Sequence, residues 1–516
     1  FKRERLKRNS MPDENAQDKT VRLEDVARAV GGKLTGAAGD GGTVVSDVTH
    51  DSREARAGSL FVAIRGAKFD AHRFVEQVLE QGAVGIISES ARPRDFKGAW
   101  IEVADARVAL ARAAAEVQRH PSRELRLVGI TGTNGKTTTA HLVASVCEAA
   151  GERVAVLGTV GYRIRAEQFK AEHTTPEASA IQRFLRRAVE AGCRVAVMES
   201  SSQALDLRRC DALDYAIAVF TNLTQDHLDY HVTMEEYFDA KRRLFDGRLG
   251  TRPRVSVVNA DDEYGVRLAR ELASGGSRVI TYAIRGEADV TARGVEFTLE
   301  GMRFQLRTPE GERVVRSPLV GQPHVYNLLA ATACGLALGY DLDVMARAFE
   351  LCAGAPGRFE RVAHKGDFAV VVDYAHTDDA LRNVLRTARD VVTAGGRVIT
   401  VFGCGGDRDR TKRKPMGEAA GNLSDIVILT SDNPRTEDPE AILADVEPGL
   451  RATGKPYLKI ADRREAIFRA IAEARGGDVV VIAGKGHEDY QIVGTETIHF
   501  DDREVASEAL AGRKLI

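Results

Sequence analysis

Apolar positions in this chain come as short dense runs separated by helical stretches and glycine-rich or polar turns. The run Leu125–Ile130 predicts a buried strand, and Thr138–Ala150 predicts the helix that follows a glycine-rich turn. The alternation recurs at Arg153–Leu157, Arg194–Met198, Tyr215–Phe220 and Val255–Asn259, the pattern of a mostly parallel sheet with crossover helices. Upstream, Val44–Val48, Leu60–Ile64 and Ala83–Ser88 read as strands and His72–Gln81 as a helix. Downstream, Tyr282–Leu319 alternates in short strands and predicts an antiparallel insert, and Leu328–Leu338 predicts an alanine-rich helix. The β-branched runs Phe368–Val372, Arg397–Phe402, Asp425–Leu429 and Asp478–Ala483 predict a further sheet, each ending in a polar or glycine loop. The expected fold class is α/β with three domains: an N-terminal α/β domain (21–122), a central P-loop domain with a mostly parallel sheet (123–356) and a C-terminal Rossmann-like domain (357–516).

Composition narrows this little. The 516 residues are 43% hydrophobic and 29% charged, as in a soluble globular protein with several cores. A net charge of −2 gives no global field toward nucleic acid or an anionic membrane. No apolar stretch is long enough for a membrane helix. Six cysteines lie scattered with no C-x-x-C pair, which reads as reduced thiols in a cytoplasmic protein, with a monomer expected. Residues 1–20 are polar, with Lys2, Arg3, Arg5, Lys7 and Arg8 clustered; a disordered extension is expected rather than a nucleic-acid arm, with translation starting at Met11. No apolar core of a secretory signal is present there.

The first chemistry lies in Val128-Gly-Ile-Thr-Gly-Thr-Asn-Gly-Lys-Thr-Thr138, between the predicted strand and helix. Gly132 and Gly135 leave backbone N–H groups free to face phosphate oxygens, Thr133 and Asn134 complete the loop between them, and the helix N-terminus adds partial positive charge. Lys136 can reach the β- and γ-phosphates, and the Thr137 hydroxyl, followed by Thr138, can ligate Mg²⁺. The strict pattern asks for glycine six residues before Lys136, where this chain has Ile130. The reading is an ATP or GTP site. Glu199, directly after a predicted strand, is a candidate Mg²⁺ ligand. His173-Thr174-Thr175-Pro176 offers hydroxyls suited either to a ligand or to an ordinary helix cap. His227 and His231 have an i, i+4 spacing that could mimic a zinc pair, but without the Glu of H-E-x-x-H. Asp432-Asn433-Pro434-Arg435 is either a polar turn before a helix or an amino-acid clamp, with Arg binding carboxylate and Asp and Asn accepting from an ammonium. Gly403-Cys404-Gly405-Gly406-Asp407 is not a dinucleotide fingerprint, so NAD is not expected.

Gly132-Thr-Asn-Gly-Lys-Thr-Thr138 resembles the ATP loop of the Mur ligase family, and the similarity runs from about Ser46 to Glu504. The resemblance implies an ATP-dependent amide ligase of peptidoglycan synthesis, acting through an acyl phosphate on a UDP-sugar dipeptide. Asp432-Asn433-Pro434-Arg435 is similar to the motif of the branch that adds meso-diaminopimelate. The resemblance implies Mg²⁺ as cofactor, ATP as substrate and small-molecule partners only. It makes Lys241 a lysine carbamylated by CO₂ and gives Thr137, Glu199, His227 and Lys241 as the metal and catalytic set with Lys136. Asn327, Arg358 and Asp373 join the loop as ATP contacts. His50, Ser52, Ala67, Lys68, Phe69, His173, Thr174, Thr175, Ser201, Leu207 and Arg209 fall where the UDP-sugar is held. Arg408, Gly484 and Glu488 join residues 432–435 around diaminopimelate. Gln203 departs from the pattern, which usually has His there; Gln keeps hydrogen bonding but not acid–base chemistry.

Overall fold

The computed structural model describes residues 20–36, 40–66 and 70–512. The expected extension at 1–20, with Met11, lies outside the described residues apart from Thr20. The chain divides into two compact units, one of Phe1–His120 with Ala178–Arg183 and one of Pro121–Glu177 with Phe184–Ile516.

The first unit is built on five strands in the order Lys33–Thr35, Ala99–Glu102, Gly85–Ser88, Ser59–Ala63, Asp47–Thr49. All neighbours run parallel except the first pair. Strands buried on both faces read as continuous apolar runs rather than alternating ones, which is why Ser59–Ala63 was legible. One face packs on the helices Leu23–Val30 and Ala106–Val117. The other packs Phe61, Ile86 and Trp100 on Val78. The helix expected at His72–Gln81 is instead a 3₁₀ turn, Ala71–Phe74, passing into an α-helix, Val75–Glu80. Asp70 explains the start, since its side chain accepts from His72 N and begins a tight turn.

The second unit holds two larger sheets. The first has eleven strands, in the order 311–317, 301–308, 290–298, 279–283, 255–259, 217–220, 126–131, 195–199, 154–157, 162–164, 167–169. From Val290–Thr298 through to Val154–Leu157 every neighbouring pair is parallel. The expected insert at 282–319 is therefore no separate element. Val290–Thr298 continues the parallel sheet, and only the hairpins to Gly301–Thr308 and Gly311–Ser317 are antiparallel. Its buried positions Met302, Phe304, Leu306 and Val315 share a core with helices Gln322–Leu338 and Leu342–Leu351, so burial keeps it on the sheet.

The other sheet has six strands, ordered 360–361, 369–373, 479–483, 398–402, 426–429, 457–459, and only the first pair is antiparallel. Val479–Ala483, late in the chain, lies between Ala369–Asp373 and Val398–Phe402. Apolar cores cover both faces, and each fully buried Val or Ile contributes about 1.5–3 kcal/mol. The loops after Asp373, Phe402, Leu429 and Ala483 consequently emerge at one edge. In an open parallel sheet that edge is where ligands bind.

Candidate active site

The glycine-rich turn connects strand Arg126–Thr131 to helix Lys136–Ala149. Gly132 has φ +148° and Gly135 φ +84°, backbone regions that favour glycine. A Cβ on Gly132 would run into Thr221 Oγ1, and one on Gly135 would lie 2.5 Å from Asn327 Oδ1. Neighbouring elements shape the turn: Thr133 N donates to Asn222 O (2.9 Å), Asn134 N to Asn222 Oδ1 (2.9 Å), and Thr221 Oγ1 to Asn134 O (2.6 Å). Asn134 Nδ2 donates to Asp379 Oδ2 (2.8 Å), as does Thr224 Oγ1 (3.0 Å), so a helix of the second sheet meets the turn. Thr138 is buried on helix Lys136–Ala149. Asn327 lies in the interior of helix Gln322–Leu338 and accepts from Thr139 Oγ1 (3.2 Å). It is thus no helix cap, because Pro323 in the first turn starts the helix upstream.

Five charged or oxygen-rich side chains meet at the turn. Glu199, fully buried at the end of strand Val195–Glu199, accepts from Thr137 Oγ1 (3.0 Å), Thr159 N (2.8 Å) and Thr159 Oγ1 (3.1 Å). These hard oxygens beside a phosphate loop fit Mg²⁺, which takes few protein carboxylates and completes its shell with phosphate and water. Lys136 Nζ donates to Gly132 O (2.9 Å) and Thr133 O (2.8 Å). Lys241 Nζ donates to the same Gly132 O at 2.9 Å and lies 4.3 Å from the Tyr237 ring centroid. Composition alone would read Lys241 as a solvated helix lysine; the structure corrects that, leaving it 1% exposed because Tyr237, Phe238 and Ala240 carry its helix into the core. Burial, and then the neighbouring Lys136, pushes the Lys241 amine well below its ordinary value. Burial also lowers Lys136, against the pull of Glu199 and Asp226.

His227 has φ +54° and precedes the short helix Leu228–His231, with its ring 3.5 Å from Asp226 Oδ2. His231 is buried and stacked on Tyr237 at 5.1 Å. Among the described residues no group of three or more His, Cys, Asp or Glu side chains is gathered to hold a metal, so the histidine pair is not joined by the ligands a zinc site needs.

The hydroxyl run 173–175 is not a helix cap, since the next helix begins at Ala178 with Glu177 before it and no side-chain cap. Thr175 Oγ1 donates to Glu199 O (2.7 Å) and accepts from Ser201 N (3.1 Å). Thr174 Oγ1 lies 3.1 Å from Thr159 Oγ1, and His173 O accepts from Tyr162 OH (2.6 Å). Arg209 donates to Thr175 O (3.1 Å) and pairs with Glu177 (2.7 Å). Ser201 caps helix Ser202–Asp206, and Leu207 ends it. In the first unit Ser52 is buried and His50 Nδ1 is a buried ring nitrogen without a hydrogen bond. Ala67, Lys68 and Phe69 lie outside the described residues.

The six-stranded sheet brings a second cluster to its carboxyl edge. The Arg358 guanidinium stacks over Tyr374 (4.8 Å) and its Nε is buried without a hydrogen bond. Asp373 accepts from Phe359 N (2.7 Å) and Ala375 N (2.8 Å), and burial raises its carboxyl against the pull of Arg358. Asn433 Nδ2 donates to Glu488 Oε2 (2.9 Å), and Asn433 Oδ1 accepts from Lys485 Nζ (3.2 Å) and Ile492 N (3.0 Å). Asp432 Oδ1 is buried without a hydrogen bond, 3.8 Å from Lys485 Nζ. Arg435, at φ +53°, donates through Nη1 to Gly406 O (2.7 Å). Pro434 O packs against Gly406, Gly484 (φ +122°) faces Asp432 Oδ2, and Arg408 is exposed nearby on the 403–410 loop. Residues 432–435 are thus bonded mainly to neighbouring loops, and Asp438 caps helix Pro439–Ala452 downstream, as the polar-turn reading expects.

Comparison with known proteins agrees along the chain. Residues 44–118 match the Mur ligase family catalytic domain, 130–335 the Mur ligase middle domain, and 357–486 the Mur ligase glutamate ligase domain. A UDP-N-acetylmuramoyl-L-alanyl-D-glutamate–2,6-diaminopimelate ligase from Solibacter usitatus (strain Ellin6076) is 48% identical over 91% of this chain and 94% of its own length. The enzyme of that name from Geobacter metallireducens (strain ATCC 53774 / DSM 7210 / GS-15) is 45% identical over 95% of this chain and 98% of its own. The chain belongs to the Mur ligase family. A solved structure of a diaminopimelate ligase of that name superposes with a TM-score of 0.70 at 35% identity, covering 95% of this chain and 99% of that one. The three sheets correspond to the three-domain Mur ligase architecture.

Sequence reasoning missed several residues that meet the candidate site residues of this Mur ligase. Lys485 is fully buried between Asn433, Asp432 and Glu488, although its neighbours Gly484 and Glu488 were singled out. Its signal was available: a lysine between two glycines directly after a buried strand. Asn222, Thr159 and Asp379 were missed because their roles depend on contacts across the sheet or between sheets.

Proposed function

We propose that this Mur ligase joins meso-2,6-diaminopimelate to the D-glutamate γ-carboxylate of UDP-N-acetylmuramoyl-L-alanyl-D-glutamate, using ATP. The observation that carries the reading is the set of contacts at 2.8–3.0 Å tying Lys136, Lys241, Thr137 and Glu199 to one phosphate loop. The relatives that share nearly the whole chain at 45–48% identity bear names that specify this reaction.

A γ-carboxylate oxygen forms a bond to the γ-phosphorus while the bond to the ADP oxygen breaks, giving an acyl phosphate. The diaminopimelate amine then attacks the acyl carbon, its proton is lost, and inorganic phosphate leaves as the amide forms. Lys136 and the N–H groups that open helix Lys136–Ala149 hold the β- and γ-phosphates through this transfer, since Asn222 takes those of Thr133 and Asn134, and no protein nucleophile is needed. Mg²⁺, when bound at Thr137 and Glu199, supplies charge neutralisation on the phosphates. In this reading His227, with Lys241 as its carbamate, would also hold that ion. Lys241 is carbamylated: burial disfavours its charged form, the neutral amine is the form that adds CO₂, and Lys136 lies beside the resulting anion.

Asn327, Arg358 and Asp373 are assigned to ATP. His50, Ser52, Thr174, Thr175, Ser201 and Arg209, with His173 and Leu207, are assigned to the UDP-sugar. Arg408, residues 432–435, Gly484 and Glu488 are assigned to diaminopimelate, where acid and amide oxygens suit an ammonium and Arg435 a carboxylate. The domains are taken as 21–122, 123–356 and 357–516, and the protein as a cytoplasmic monomer. Among the described residues no helix is long and apolar enough to cross a membrane.

The test is phosphate release with each substrate omitted in turn. Release should need ATP, Mg²⁺ and the UDP-sugar dipeptide, and sustained turnover should also need diaminopimelate. Steady ATP hydrolysis without either acceptor would turn the reading toward a nucleotide switch.

A further inference from the structure

Beneath the loops assigned to diaminopimelate lies an ion pair with no place in the chemistry above. Arg463 begins helix Arg463–Glu473 and Asp502 begins helix Asp502–Gly512. Both side chains are fully buried, and the guanidinium meets the carboxylate through two bonds, Nε to Oδ1 at 2.8 Å and Nη2 to Oδ2 at 2.6 Å. The remaining donors face backbone. Nη1 donates to Ser431 O (3.2 Å) and Nη2 to Ala483 O (3.1 Å). Ser431 directly precedes Asp432-Asn433-Pro434-Arg435, and Ala483 directly precedes Gly484-Lys485. A single planar group therefore fixes the starting points of two loops that come from different strands. A Cβ on Gly484 would lie 3.5 Å from Asp432 Oδ2 and 3.9 Å from Arg463 Nη2, so the guanidinium underlies the floor the two loops share.

A buried ion pair is weak evidence for stability, since an apolar pair of similar volume often serves as well. An apolar pair could not hold two carbonyls at a set separation. Above the guanidinium, the buried Asp432 Oδ1 has no hydrogen bond, and Asn433 and Glu488 are joined across the loop gap at 2.9 Å. The spacing of the acidic groups there depends on the spacing of the two carbonyls below.

We infer that the Arg463–Asp502 pair is a positioning clamp for the amino-acid substrate: it sets the distance between the 431–435 and 483–488 loops, and with it affinity for the diaminopimelate head, without touching that substrate. The inference rests on the assignment of those loops to diaminopimelate.

The test is the double variant Arg463→Met/Asp502→Leu in the full-length enzyme, with KM measured separately for all three substrates alongside Tm. It replaces the pair by apolar groups of similar size and leaves no unpaired buried charge. KM for diaminopimelate should rise on the order of tenfold to a hundredfold, as expected when a supporting shift misplaces a substrate by about 1 Å, while KM for ATP and for the UDP-sugar dipeptide stays near wild type. Arg463→Lys is the second variant, keeping the buried cation and its pairing but not the planar reach to both carbonyls; it should show the same selective rise. A wild-type KM for diaminopimelate in either folded variant overturns the clamp, and so does an equal rise for all three substrates, which marks general loosening. Arg435→Ala is run in parallel. If it leaves diaminopimelate use intact, the loop assignment fails and takes the clamp with it; if it impairs diaminopimelate use while the Arg463 variants behave as wild type, the clamp alone is wrong.

Discussion

The lysine pair at the phosphate loop sets up a measurement that does not depend on turnover. Lys241 and Lys136 both donate to Gly132 O at 2.9 Å, and Lys241 is fully buried. Its folded-state value is held well below the ordinary 10.5 by burial and then by Lys136. Between the folded value and 10.5 the unfolded chain carries a proton that the folded chain lacks. Stability then rises with pH in that window, by about 1.4 kcal/mol per pH unit for one such group. Tm therefore climbs with pH through the window, by roughly 3–6 °C per pH unit for a cooperative unit of 150–250 residues. The assay is Tm against pH in CO₂-free buffer for wild type and Lys241→Met, a substitution that keeps side-chain length. The wild-type slope should exceed that of the variant by this amount, with Lys136 supplying a remaining slope of the same sign in both. Adding bicarbonate should then raise the wild-type Tm and leave the variant unmoved, because only a neutral amine takes up CO₂ and the carbamate forms only in the folded state. Equal slopes would mean that Lys241 stays protonated when folded, and the carbamate reading would lose its physical basis.

Lys136→Ala should abolish turnover, because Lys136 acts on phosphate charge, while near-UV circular dichroism stays that of the wild type. Gly135→Ala should cost about 1–2 kcal/mol of stability for its left-handed backbone and raise KM for ATP, since its Cβ would crowd Asn327 Oδ1; unchanged ATP kinetics would remove Asn327 from the nucleotide site. Wild type should prefer meso-diaminopimelate over L-lysine by roughly 10⁴-fold in kcat/KM, and Arg435→Ala should lose diaminopimelate activity without gaining lysine activity. Comparable wild-type values for the two amino acids would refute the specificity assigned to Arg435.

What could be read from the sequence followed how local each signal was. Lys136 and Thr137 were legible because strand, glycine turn and helix are consecutive, and Glu199 because it ends the strand beside them. The long β-branched runs were legible too, since strands covered on both faces carry no polar alternation to confuse. Three-residue strands such as Lys33–Thr35, Tyr162–Ile164 and Tyr457–Lys459 were not, because so few residues, half of them polar, hold no period.

Burial of charge was the other illegible quantity, and it governs the site. Lys241, Lys485 and Arg463 each sit in segments whose composition reads as solvated helix or open loop, yet all are at most 2% exposed. Neighbours in sequence bury them only in part. Lys485 is enclosed by the 432–433 loop and by Tyr490 on the hairpin that follows, with its Nζ 5.4 Å from that ring. Arg463 is enclosed by a helix that begins 39 residues later. A cation taken from water needs partners fixed in place before it is tolerable, so each of these residues demands a converging set of loops rather than a motif. That demand explains why the three lie at the carboxyl edges of the two parallel sheets, where loops distant in sequence meet. It also gives the reason the phosphate loop and the loops proposed to hold diaminopimelate can be built on separate sheets of one chain: each sheet supplies a rigid edge that holds its own buried cations in place.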